Sequence, residues 1–89
     1  MNLVVEIPGV GKMALSTFDR LRRAAKNANG KPIWLDKSET GLKTKSELRW
    51  RTAENLGLAD LCDHGALGYV VTLTLLGEMV LNDGKPFFK

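Results

Sequence analysis

Basic side chains gather in one stretch of this sequence, together with a hydroxyl and an indole that lie among them. The stretch contains Lys37, Lys43, Lys45, Ser46, Arg49, Trp50 and Arg51. Ammonium and guanidinium groups bind phosphate oxygens, and arginine and serine side chains also reach the edges of bases. A second basic set, suited to nonspecific phosphate contacts, is Arg20, Arg22, Arg23 and Lys26. These residue types favour recognition of a polyanion over catalysis.

The charge is distributed unevenly along the chain. The net charge of +3 is by itself too small to indicate a nucleic-acid ligand. Between Lys12 and Arg51, however, eleven lysines and arginines stand against four acidic residues, whereas two lysines and five acidic residues follow Arg51. We therefore expect the basic surface in the first half of the chain, where it would steer a polyanion toward the protein.

Other kinds of chemistry lack the residues that they need. The single cysteine, Cys62, has no partner for a disulfide, and with His64 it supplies two ligands where structural zinc takes four. His64 has no serine, cysteine or carboxylate at a spacing typical of a catalytic set. We expect a non-enzymatic protein without metal or cofactor, in which Cys62 is a small buried strand residue.

Size and hydropathy predict one cytoplasmic domain. The 89 residues, 44% of them hydrophobic, suffice for one modest core. No apolar run approaches the roughly 20 residues that a membrane-spanning helix needs, and no basic-then-apolar leader opens the sequence. The expected organisation over 1–89 is a strand or hairpin extension in 1–15, a core in 16–83 and a tail in 84–89.

Residues 3–15 predict a short strand or hairpin, because β-branched and apolar residues flank a break of proline and glycine. The fragment 7–12, Ile-Pro-Gly-Val-Gly-Lys, also invites comparison with a P-loop or with the hairpin of helix-hairpin-helix modules. A P-loop needs glycine where Glu6 stands and serine or threonine where Met13 stands. A β-turn built from the proline and first glycine of the fragment is the preferred interpretation.

A helical period follows this extension. Phe18, Leu21 and Ala25 fall on one face, and charged residues occupy most of the rest. Asn29 and Gly30 end the helix, because both tolerate the left-handed conformation that closes helices.

The next segment combines a strand with a short helix. Residues 32–35 predict a short buried strand, in which Trp34 packs in the core beside the first helix. Asp36 and Ser38 then cap a brief helix that ends near Gly41.

Thr44 and Glu47 supply the sharpest local signal. A threonine followed three residues later by a glutamate is a capping box, in which each side chain satisfies a free amide at the start of a helix. It predicts a helix over 45–55 or 45–56, closed by Gly57.

Two β-prone runs and a final helix complete the chain. Residues 58–62 and 69–73 predict a hairpin whose turn lies in 63–68. Thr74 caps the last helix, and the expected inner face of that helix carries Leu75, Leu76, Met79 and Val80.

This order of elements resembles the winged helix-turn-helix superfamily over about 16–81. Residues 48–58, which end in Asn-Leu-Gly-Leu, look like a recognition helix running into its exit. Residues 69–77 are similar to the last wing strand entering the final helix, where a Leu-Thr pair is followed by glycine three residues on. The resemblance implies an α+β fold of three helices with a small antiparallel β-wing, here with an N-terminal strand or hairpin.

In DNA-binding members of the superfamily, the second helix of the helix-turn-helix lies in the major groove. The resemblance therefore implies a small transcriptional regulator that binds double-stranded DNA through the basic helix 45–56. A projection at 3.6 residues per turn points four residues toward the core, namely Leu48, Thr52, Asn55 and Leu56. It points another four outward, namely Ser46, Trp50, Ala53 and Glu54.

The alternative function is a protein-interaction module on the same fold, such as a phage or mobile-element inhibitor of a host nucleic-acid-binding complex. A large exposed aromatic between two arginines is typical of an interface hot spot. The turn 63–68 has no cation for a minor-groove contact, and Glu47 and Glu54 oppose phosphate binding. Packing of Trp50 against the first helix or the wing remains open.

Assembly with other chains is a third option. Residues 3–7 and 87–88 can add strands or apolar anchors to a neighbour. The apolar stripe of the last helix can pair two copies in a homodimer.

Overall fold

Two three-stranded antiparallel sheets and three helical segments form an α+β fold. The computed structural model describes residues 3–38 and 40–83, together with the backbone of 87–88. In chain order the elements are β1 (Val4–Ile7), β2 (Gly11–Ala14), α1 (Leu15–Ala28), β3 (Ile33–Leu35), α2 (Lys45–Asn55), β4 (Ala59–Asp63), a 3₁₀ turn (Gly65–Leu67), β5 (Tyr69–Leu73), α3 (Leu75–Gly77), a π-helical continuation (Glu78–Asp83) and β6 (Phe87–Phe88).

The first sheet has the strand order β2-β1-β6. Its hairpin turns through Gly9, whose φ is 75°, and the Val10 N–H donates to Ile7 O at 3.0 Å. The β-turn predicted for this fragment is therefore confirmed. The segments 3–7 and 87–88, which add strands to a neighbour in the third option above, pair with each other through β1 and β6 in one chain.

Helix α1 lies at the centre of the fold and contacts both sheets, α2 and the π-helical segment. Its buried face consists of Phe18, Leu21 and Ala25, as the sequence predicts. Asn29 ends it with a φ of 50°, and the Asn29 N–H donates to Ala25 O at 3.3 Å. The predicted start, face and end of this helix are confirmed to within one residue.

The prediction of a brief helix after β3 is wrong. Residues 36–38 and 40–44 are not helical. The Ser38 hydroxyl accepts the Thr40 N–H at 3.2 Å, and Gly41 has a φ of 81°. A serine that bonds to a neighbouring backbone group stabilises a turn in competition with a helix.

The second sheet has the order β3-β5-β4, with the predicted hairpin between β4 and β5. Leu35, Val71 and Ala59 face the core and are buried. Trp34 and Cys62 lie on the other side and are exposed. The prediction that Trp34 and Cys62 are buried is wrong. Successive residues of a strand alternate between the two faces of a sheet, and the neighbours of these two residues occupy the face toward the core.

The two stretches that carry the superfamily resemblance contact each other. The Thr74 hydroxyl accepts the Gly77 N–H at 3.0 Å, which confirms the predicted cap, and donates to Gly57 O at 2.7 Å. The Thr74 N–H donates to Leu58 O at 3.0 Å. A Cβ at Gly77 would lie 1.7 Å from Leu58 O, so only glycine permits this approach.

The predicted inner face of the last helix is wrong for three of its four residues. Leu75, Leu76 and Met79 are exposed. Val80 faces the core as predicted, and Leu81 beside it is also buried. The change from α-helical to π-helical winding after α3 alters the angle between successive side chains, which a regular helical period does not describe.

Candidate nucleic-acid interface

Helix α2 begins as its capping signal predicts. The Thr44 hydroxyl accepts the Glu47 N–H at 3.1 Å. The Glu47 carboxylate accepts from Arg51 Nε at 3.4 Å, one turn further along. The threonine half of the capping box is thus confirmed, and the glutamate also joins a charged cluster farther along the helix.

Several side chains of α2 face the opposite way from our projection, whereas Leu56 packs against the core as projected. Trp50 is 3% exposed and Ala53 is fully buried, whereas Leu48 is 51% exposed. Thr52 is partly exposed, and Asn55 is exposed. The outward position expected for Trp50, and the inward position expected for Leu48, are therefore wrong.

The size of the indole explains the reversal. Burying a tryptophan removes more apolar surface from water than burying a leucine does. Placing Trp50 inward also brings Glu47 to the core side, where it is buried. This orientation needs a cation to neutralise the carboxylate, and Arg51 supplies it.

A charged cluster around Tyr69 neutralises both carboxylates of α2. Arg51 bonds Glu54 at 2.9 Å and Glu47 at 3.4 Å, and its guanidinium lies 5.2 Å from the Tyr69 ring centroid. The hydrogen bond from Arg51 and the Leu61 N–H hold the pKa of the Glu54 carboxyl below its usual value. The bond to Glu54 likewise raises the pKa of Arg51. Arg51 is therefore committed to α2 and β5.

Lys37 belongs to the same cluster. Its Nζ lies 2.5 Å from the Asp63 carboxylate and 5.0 Å from the Tyr69 ring centroid. Lys37, and next the Gly65 N–H, lower the pKa of the Asp63 carboxyl. These contacts attach the β4–β5 hairpin to the segment before α2, so the hairpin is held in a defined position relative to that helix.

Four of the candidate residues lie on the accessible surface of α2 and the loop before it. Lys43 and Lys45 are exposed, and Ser46 and Arg49 are partly exposed. An Arg49 guanidinium nitrogen donates to the Ser46 hydroxyl at 3.2 Å. This bond holds the guanidinium along the helix, and its other N–H groups can donate to a ligand.

Three residues that we did not select lie on the same outer face, namely Leu48, Thr52 and Asn55. Their spacing from Lys45 and Arg49 is the three-or-four-residue repeat of one helix face. The signal for the complete face was therefore present in the sequence. Our projection instead placed Leu48, Thr52 and Asn55 toward the core.

The basic residues of α1 divide into two groups. Arg20, Arg23 and Lys26 are exposed and form no ion pair in the part of the chain that the structure describes. Arg22 is partly buried, because its Nε donates to Leu81 O at 3.4 Å and its guanidinium lies over the Phe18 ring. Arg22 therefore anchors α1 to the π-helical segment.

The remaining chemistry-bearing residues do not gather into a centre. Among residues 3–38 and 40–83, no group of three or more His, Cys, Asp or Glu side chains lies close enough to hold a metal ion. No helix in the described segments is long and apolar enough to cross a bilayer.

No family model, curated protein or solved structure matches this sequence.

Proposed function

We propose that this chain is a double-stranded DNA-binding protein of the winged helix-turn-helix type, a small regulator that reads DNA with the outer face of α2. One observation carries the proposal. The outer face presents Lys45, Arg49, Thr52 and Asn55 without a carboxylate, because Arg51 holds both glutamates of the helix on the other side. Glu47 and Glu54, whose carboxylates would repel phosphate groups, therefore do not lie on this face.

The side chains on this face match the edges of bases. Arginine donates to guanine O6 and N7, asparagine pairs with adenine N6 and N7, and threonine or an apolar side chain contacts the thymine methyl group. Arg49, Asn55, Thr52 and the exposed Leu48 supply these groups. An eleven-residue helix is about 16 Å long, which suits insertion into a major groove roughly 12 Å wide.

Phosphate contacts come from lysines at the start of the helix and from α1. Lys43 and Lys45 flank the end of α2 at which recognition helices usually meet DNA. Arg20, Arg23 and Lys26 supply additional positive charge for nonspecific attraction. Arg22, Lys37 and Arg51 have no role in this proposal beyond holding the fold, and Trp50 acts only through packing.

The proposal describes a variant of the winged-helix arrangement. The segment between β3 and α2 stands where the first helix of a helix-turn-helix is expected, and its described residues are not helical. In this proposal the β4–β5 hairpin corresponds to the wing. Its tip carries no lysine or arginine, so we assign DNA recognition to α2 alone.

Fluorescence anisotropy of labelled random-sequence duplex DNA tests the proposal. The protein is titrated at low and near-physiological salt as wild type, as Lys45→Ala/Arg49→Ala and as the charge-matched control Lys12→Ala/Lys31→Ala. We expect the α2 variant to weaken low-salt binding by about tenfold or more, and to lower the salt slope by about one per lost phosphate contact.

The control separates a defined face from general positive charge. Lys12 and Lys31 are exposed and lie outside α2. We expect their removal to change affinity much less than the α2 variant does. Equal losses in both variants, or no duplex binding by the wild type, would overturn the proposal. Binding that survives in the α2 variant and fails in Arg20→Ala/Arg23→Ala would assign the site to α1 instead.

A further inference from the structure

The solvent-facing side of the second sheet carries an apolar row where polar residues are usual. Trp34, Val70 and Cys62 are register partners across β3, β5 and β4 and therefore share one face. Trp34 is 55% exposed and Cys62 is exposed, while Leu35, Val71 and Ala59 on the opposite face pack into the core. A sheet with one solvated face ordinarily has polar side chains there. We call this row and its surroundings the outer sheet face.

Trp34 is held in place on this face. Its ring centroid lies 5.4 Å from that of His64, with the ring planes at 62°. Gly68 immediately precedes β5 and lies opposite His64, and a Cβ there would lie 2.1 Å from Leu35 O. The His64 N–H donates to Gly68 O at 2.8 Å. An exposed, oriented tryptophan binds at low entropic cost, which is why interface hot spots are rich in this residue.

The charges around the row are negative. Asp60, on the same side of β4, and Asp36, which continues the alternation of β3, are both exposed. Neither forms an ion pair within the described segments. Lys37, which follows Asp36 in the sequence, is directed to Asp63 and Tyr69. The outer sheet face therefore combines an indole and a small apolar surface with unneutralised carboxylates.

We propose that the outer sheet face docks a protein segment in which a lysine or arginine lies beside an apolar side chain. The cation fits the face of Trp34 near Asp36, since tryptophan is the strongest cation–π partner. Asp60 lies two strands away, beside Cys62, and attracts the cation only at longer range. The apolar side chain covers Val70 and Cys62. Phosphate groups are disfavoured by the two aspartates, so this surface is separate from the proposed DNA face of α2.

Selection from a displayed random-peptide library tests the docking site. The immobilised wild-type protein is the bait, and Trp34→Ala is used for counter-selection. We expect enriched peptides with lysine or arginine next to an aliphatic or aromatic residue. A synthetic peptide of that kind should bind wild type, and should bind Trp34→Ala about tenfold or more weakly, as truncation of a hot spot does.

Further variants separate charge, shape and folding. Asp36→Asn/Asp60→Asn should weaken the same peptide several-fold and reduce the salt dependence of its binding. Trp34→Phe should retain part of the affinity. Leu75→Ala, which truncates an exposed leucine of α3, should have no effect. Circular dichroism should show each variant folded, because Trp34 and both aspartates are exposed.

Three outcomes would overturn the proposal. The first is enrichment of acidic or uncharged peptides, or of peptides that bind Trp34→Ala as well as wild type. The second is self-association of the wild type through Trp34 in sedimentation, which would make the occupant a second copy. The third is loss of duplex DNA binding by Trp34→Ala in the anisotropy assay, which would make the sheet part of the DNA site. Unchanged duplex binding by Trp34→Ala would keep the two surfaces distinct.

Discussion

The two tryptophans occupy opposite environments within one small fold. Trp50 lies between two arginines on α2 and is 3% exposed, whereas Trp34 lies between two apolar residues on β3 and is 55% exposed. Adjacent residues point about 100° apart on a helix and to opposite faces on a strand. The environment of a side chain is therefore set by residues two to four positions away rather than by its immediate neighbours.

Helix α2 and the outer sheet face also differ in how their carboxylates are paired. The buried side of α2 holds Glu47 and Glu54 against Arg51, which leaves the outer side of that helix without acids. The outer sheet face keeps its aspartates unpaired within the described residues. The first arrangement supports an anion-binding surface and the second a cation-binding surface, and this contrast underlies both proposals.

The sharpest test of the contrast is truncation of each tryptophan. Trp50→Ala should lower the free energy of unfolding by about 3–5 kcal/mol, because it removes a buried indole and leaves a cavity. Trp34→Ala should change it by roughly 0.5 kcal/mol or less, as exposed substitutions do. Urea unfolding followed by circular dichroism measures both values. Similar losses in the two variants would show that the assigned environments are wrong.

Removal of Arg51 should produce the next largest effect. Arg51→Met leaves the buried Glu47 carboxylate without its cation, and we expect a loss of about 1–3 kcal/mol. A cycle with Glu47→Gln, read by the same unfolding assay, measures the coupling of the pair. The double variant should be more stable than the sum of the single losses predicts. Strict additivity would mean that the two side chains do not interact.

The cap of α2 should contribute less. Thr44→Ala removes the acceptor for the Glu47 N–H, at a cost of about 1 kcal/mol. Thr52→Ala is the matched control, because Thr52 lies on the outer face and its hydroxyl donates within its own helix, to Leu48 O. Thermal unfolding of both variants provides the comparison. A larger loss for Thr52 than for Thr44 would argue against the capped start of α2.

The smallest effect concerns acid stability. The pKa of Glu54 lies below its usual value because of Arg51 and the Leu61 N–H, so its charged form is favoured in the folded protein. Its contribution is complete above the unfolded pKa and is lost as pH falls through the folded pKa. Glu54→Gln should therefore flatten the dependence of unfolding midpoint on pH below about 5. An unchanged slope would contradict the lowered pKa.

Strong periodicity made much of the fold predictable. The three apolar residues of α1 identify its face, and the β4–β5 hairpin lies where its two β-prone runs predict it. The threonine caps of α2 and α3 bond backbone N–H groups three residues further along and were also predicted. Local signals of this kind act over a few residues and need no knowledge of the tertiary structure.

The candidate site was less predictable because its orientation depends on distant partners. The inward turn of Trp50 requires Arg51 to neutralise Glu47, and the guanidinium in turn packs on Tyr69, a residue of β5. The exposure of Trp34 depends on which side of β3 meets the core. The Glu47–Arg51 pair is visible in the sequence as an i,i+4 spacing, but the packing of the guanidinium on Tyr69 and the choice of the inner side of β3 are not.

One measurement tests the central claim, that the outer face of α2 binds DNA, most directly. Heteronuclear NMR spectra of the ¹⁵N-labelled protein are recorded as a selected duplex is added, with the indole N–H signals of Trp34 and Trp50 as internal reporters. We predict that the largest backbone shifts fall on Lys45, Leu48, Arg49, Thr52 and Asn55, while the Trp34 indole signal stays in place. Shifts concentrated on the outer sheet face, with α2 unperturbed, would contradict the account.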